Sequence, residues 1–94
     1  MKTRPFDVAE HLATAEDIVA YLEAVFEDGD PQLIAAAIGD VARAYGMARI
    51  AEEAGLSREG LYRSLSSEGN PQISTVIKVL RVLGVRLEAH AVPT

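Results

Sequence analysis

Residues 47–66 read MARIAEEAGLSREGLYRSLS, and the spacing of small, capping and apolar residues in that stretch decides the fold. Ala51 is small where two helices would cross closely. Gly55 follows four residues later, where the first helix must stop in a left-handed turn, a conformation that glycine adopts without steric penalty. Leu56 covers the corner from inside. Ser57 stands where the second helix needs an N-cap, because its hydroxyl can accept from free backbone N–H groups. Leu61 and Leu65, four apart, face the core, which leaves Arg58, Glu59, Tyr62, Arg63 and Ser66 outside. Two helices joined by a short glycine-containing turn make a helix-turn-helix, whose second helix is expected to enter the DNA major groove.

Outward from this stretch, the chain reads as five helices followed by a strand. Arg4-Pro5 argues against helix at the N-terminus. A first helix is predicted over 15–28, with Thr14 and Asp17 as a capping box and Ile18, Tyr21, Leu22, Val25 and Phe26 as its inward stripe. Asp30 caps a second helix that has Pro31 at its first position, turns Leu33, Ile34, Ala37, Ile38, Val41 and Tyr45 inward, and stops at Gly46. The third and fourth helices are expected over 47–54 and 58–66. A turn at 68–71 precedes the fifth, over 73–83, with Ile73, Val76, Ile77, Leu80 and Leu83 inward and Gly84 as its stop. From Val85 to Val92 the period changes to two, with Val85, Leu87, Ala89 and Ala91 on one side and Arg86, Glu88 and His90 on the other, which predicts a short C-terminal β-strand. A lone strand leaves both edges open. Its partner is either the same strand of a second subunit, giving a two-fold dimer, or the extended segment around Phe6–Val8.

With 94 residues the chain has room for one domain. No apolar run approaches a membrane span, no signal peptide opens the chain, and with no cysteine there is neither a disulfide nor a thiolate metal site, so a cytoplasmic protein is expected. The net charge of −5 is unevenly divided: residues 1–42 carry two cations against nine carboxylates, and residues 43–94 carry seven cations against five carboxylates. Such asymmetry suggests two surfaces with different partners, and phosphate binding depends on local rather than net charge.

Arg58, Glu59, Tyr62 and Arg63 are the candidate DNA-contacting residues. Arginine pairs with guanine O6 and N7, and glutamate accepts from cytosine N4. Ser57 opens that helix, and Arg49 and Asn70 are placed to reach flanking phosphates. Lys78 and Arg81 read as a solvated face. His11 and His90 stand far apart without companions, so no metal site is expected. Glu27, Asp28 and Asp30 lack the ligand spacing of a calcium loop and serve as turn and cap residues. Glu52 and Glu53 lie on an exposed face, and neither a nucleophile triad nor a phosphate-cradling glycine loop occurs. No catalysis and no cofactor is expected.

The segments Gly39-Asp40-Val41-Ala42-Arg43-Ala44-Tyr45-Gly46-Met47, Gly55-Leu56-Ser57-Arg58-Glu59-Gly60-Leu61-Tyr62 and Gly69-Asn70-Pro71 resemble the putative addiction-module antidote proteins, HigA-like antitoxins of type II toxin–antitoxin pairs with an XRE-type helix-turn-helix. The resemblance extends to Phe6-Asp7 and Tyr21-Leu22 and covers most of residues 5–88. Arg63-Ser64-Leu65 departs from the family's Lys-Ala-Leu but keeps the charge. The resemblance implies an all-α, phage-repressor-like domain of five helices, a small basic toxin of the RelE/ParE superfamily as partner, and autorepression of an operon. On this reading residues 1–30 are the acidic, toxin-contacting part, 31–84 the helix-turn-helix core and 85–92 the dimerising strand. Phe6, Val8 and Leu12 supply apolar anchors for the toxin, with Asp7 and Glu10 in the surrounding acidic field. The competing readings are a stand-alone regulator without a toxin and a protein-interaction module that has lost DNA binding.

Overall fold

The computed structural model describes residues 14–66 and 68–93, which form five helices: α1 (Ala15–Asp28), α2 (Pro31–Tyr45), α3 (Met47–Ala54), α4 (Arg58–Ser64) and α5 (Ile73–Val82). Local chemistry sets most of their ends. The Thr14 hydroxyl accepts from the Asp17 N–H at 3.1 Å while the Asp17 carboxylate accepts from the Thr14 N–H at 3.3 Å, so the capping box that starts α1 is formed. Asp30 accepts from the Gln32 N–H at 3.0 Å, and Pro31 opens α2 where an N–H is not needed. The α3–α4 turn closes as a Schellman motif: Gly55, at φ 72°, donates to the Glu52 carbonyl at 3.3 Å and Leu56 donates to that of Ala51 at 2.8 Å. Ser57 then accepts from the Gly60 N–H at 3.0 Å and starts α4.

The helix α4 stops at Ser64, short of the expected 66. The Ser64 hydroxyl donates to the Leu61 carbonyl at 3.2 Å and that of Ser66 to the Arg63 carbonyl at 2.9 Å. Such side-chain-to-backbone bonds satisfy the end of a helix without prolonging it.

The core draws on every helix. Ile18 and Leu22 of α1, Ile38, Val41 and Ala42 of α2, Ile50 and Ala51 of α3, Leu61 and Leu65 at α4, and Val79, Leu80 and Leu83 at α5 pack into one buried cluster. The helix α1 rests on α2, and α3 rests on α2, α4 and α5. Gly39 lies where α2 meets the end of α4, and a Cβ there would run into the backbone carbonyl oxygen of Leu65.

Four residues expected inside are not. Phe26, Leu33, Ile73 and Ile77 are exposed, while Val79, which the expected stripe omitted, is fully buried. On α5 the turn towards α3 favours Val76, Val79, Leu80 and Leu83, so the buried face is rotated from the one read off the sequence.

The expected C-terminal strand is a larger correction. Among the described residues there is no strand, and 85–93 run without regular secondary structure. The last backbone hydrogen bonds are those of the α5 stop, from Gly84 to Arg81 at 3.1 Å and from Val85 to Leu80 at 2.9 Å. Alternation survives in that Arg86 and His90 both reach Glu88, at 2.8 and 3.1 Å. A ladder needs a second edge, however, and the described chain offers none. The segment around Phe6–Val8, the expected intrachain partner, lies outside the described residues.

Candidate nucleic-acid interface

Because α4 turns Leu61 and Leu65 into the core, its opposite side is left to polar residues. Arg58, Glu59, Tyr62 and Arg63 line one shallow, open depression there, and Tyr62 is 47% exposed. Arg58 and Arg63 make no ion pair among the described residues. Arg43 and Arg86, by contrast, are tied to carboxylates, Arg43 to Asp40 at 3.0 Å and Arg86 to Glu88. The depression therefore presents two free guanidinium groups around an exposed phenol, with Glu59 beside them. The whole set is held in place by a capped helix whose other face is buried. Planar guanidinium groups with aromatic company suit phosphates and base edges.

Of the other predicted site residues, Ser57 is at the start of α4 with its hydroxyl engaged by Gly60. Asn70 is exposed in the loop before α5 and does not line the depression. Arg49 also lies outside it, on α3, and its guanidinium is already engaged. Its Nε donates to Glu53 at 3.2 Å, and its guanidinium carbon sits 4.5 Å from the centre of the Tyr45 ring. The Tyr45 hydroxyl donates to the same Glu53 at 3.3 Å. The Glu53 hydrogen bond, followed by the charge of Tyr45, raises the Arg49 pKa above its ordinary value. Sequence reasoning missed this clamp, although Arg49 and Glu53 stand four apart, a spacing that brings helical neighbours together. Phe6, Asp7, Val8, Glu10 and Leu12, the predicted toxin contacts, lie outside the described residues.

Among the described residues no three His, Cys, Asp or Glu side chains gather where they could hold a metal ion. No described helix is long and apolar enough to cross a membrane.

A family model described as a probable addiction module antidote protein matches residues 2–91. The chain belongs to this family. An uncharacterized protein of Haemophilus influenzae is 47% identical over 87 residues, which covers 93% of this chain and 90% of that protein. No solved structure matches. As an addiction-module antidote, the chain has a toxin–antitoxin role and a toxin for a partner, and antitoxins of this kind are typically not enzymes.

Proposed function

We propose that this antidote is a sequence-specific DNA-binding antitoxin that neutralises a small, basic RelE/ParE-like toxin by direct binding and represses its own operon. The observation that carries the DNA reading is the free pair Arg58 and Arg63 flanking Tyr62 on the exposed side of a capped, core-anchored helix. In this reading α3 and α4 form a phage-repressor-like helix-turn-helix, with α4 in the major groove. Arg58 and Glu59 read base edges, Arg63 and Tyr62 add phosphate and sugar contacts, and Arg49 and Asn70 reach flanking phosphates. One seven-residue helix reads few base pairs, so the operator-bound form is a homodimer. The toxin meets the acidic N-terminal part, with Phe6, Val8 and Leu12 as apolar anchors and Asp7 and Glu10 among the charges that steer it.

The experiment is a titration of the protein's own promoter duplex with wild type and Arg58→Ala/Arg63→Ala at several salt concentrations. Arg58 in direct base contact is worth about 1–3 kcal/mol and Arg63 adds a phosphate contact, so the double variant is expected to bind at least about five- to a hundredfold more weakly. Wild-type affinity is expected to fall steeply with salt, because phosphate contacts release counterions. Equal affinity of the two proteins for the promoter would overturn the reading.

A further inference from the structure

An exposed side of α1 carries Val19, Glu23, Phe26 and Glu27, a stripe at helical spacing. This stripe forms one wall of a groove whose other wall is the C-terminal segment with Leu87 and Val92. The groove is apolar at its centre and open to solvent: Val19 and Phe26 are each 38% exposed, Leu87 40% and Val92 73%. Leu22 and Val85, which also line it, tie the groove to the core, while Val19, Phe26, Leu87 and Val92 are left exposed along it. The backbone of residues 86–93 makes no hydrogen bond to other described backbone, so its N–H and C=O groups remain available to an added chain.

Charge selects the occupant. The helix α1 holds Glu16, Asp17, Glu23, Glu27 and Asp28 and no lysine or arginine. In the opposite wall Arg86 is neutralised locally by Glu88, whose carboxyl the Arg86 hydrogen bond holds below the ordinary glutamate range. A second copy brought onto this groove about a two-fold axis would bring Glu23 and Glu27 of both copies into one groove, four carboxylates together, which opposes association. A basic, partly apolar protein face meets no such repulsion.

We propose that this groove, formed jointly by the outer face of α1 and residues 85–92, is a docking site for a basic surface of the toxin. The C-terminal segment then serves the toxin complex instead of pairing two antidote subunits. This rests on the toxin-binding part of the proposed function and adds residues 85–92 to the acidic part, residues 1–30, that it assigns to the toxin.

The test uses the full-length chain and, as probe, the basic protein encoded by the adjoining reading frame, with binding kinetics measured for two variants. Glu23→Lys/Glu27→Lys reverses two exposed carboxylates that make no ion pair among the described residues, and it is expected to slow association about tenfold, with less effect at high salt. Leu87→Asp/Val92→Asp lies in a segment without secondary structure, so the helical core is untouched. It adds negative charge, which by steering alone would speed the arrival of a basic partner, yet it is expected to weaken binding about a hundredfold, because two apolar contacts are lost and two carboxylates are buried unpaired. Unchanged affinity of the Leu87/Val92 variant, with wild type binding the toxin, overturns the groove while leaving the antitoxin reading in place. A variant that changes the sedimenting mass of the free antidote but not its affinity for the toxin assigns the groove to a second copy and overturns the proposal. No binding by wild type overturns the antitoxin reading itself.

Discussion

Gly39 shows how much one missing methyl group decides. It sits inside α2, where alanine would be the better helix former by about 1 kcal/mol. A Cβ there, however, meets the backbone oxygen of Leu65, and a backbone atom cannot rotate away as a side chain can. The guanidinium of Arg43 closes the site from another side, 3.3 Å from that Cβ position. Gly39→Ala must therefore move the end of α4 relative to α2, and overpacking of this kind typically costs about 1–3 kcal/mol. The expected outcome is a melting temperature lower by several degrees, read by circular dichroism. A higher melting temperature would mean that the helices separate without loss. The same logic at Arg49 concerns position instead of volume. The Tyr45 ring and Glu53 hold its guanidinium in one place, so any phosphate it serves must come to that place.

At the scale of the helix, α4 depends on its cap more than longer helices do. It has seven residues, and isolated helices of that length do not persist in water. Ser57→Ala removes the acceptor for the Gly60 N–H and is expected to destabilise the domain by about 1 kcal/mol in urea unfolding, while Ser57→Asp retains most of that stability. Equal loss in both variants would show that the hydroxyl acts otherwise than as a cap. Caps and stops were what the sequence made legible. Thr14, Asp30, Ser57, Gly46 and Gly55 act on the backbone within a few residues of themselves, so most helix bounds could be read without knowing what packs where. The buried face of α5 was not legible. Ile73, Val76, Ile77, Val79, Leu80, Val82 and Leu83 place apolar side chains around most of the helix, and only the position of α3 chooses among them. The same holds for Phe26 and Leu33, whose exposure reflects the absence of a neighbour in the described chain. The exposed side of α4 was legible because Leu61 and Leu65 are its only strong apolar positions. The Tyr45 half of the Arg49 clamp was not, because it depends on the angle between α2 and α3. The alternation of 85–92 predicted a strand that the described chain does not form, since a strand is a property of two segments.

For the whole molecule, the proposed operator-bound form sets the oligomeric expectation. The 10.1 kDa chain is expected to sediment at about twice its mass at tens of micromolar, the order of magnitude at which such assemblies persist. Sedimentation as a monomer across that range would count against a preformed dimer. The placement of charge has a further effect that is mechanical. With five carboxylates and no cation on α1, and two arginines against one glutamate on α4, charge is polarised between these two described helices, and α1 rests chiefly on α2. A long polyanion exerts a torque on such a body before touching it, turning α4 inward and α1 outward over roughly the 10 Å across which fields survive at 0.1 M salt. A molecule 40 Å long would then complete much of its rotational search during the approach, and added salt would lengthen that search before it broke any contact.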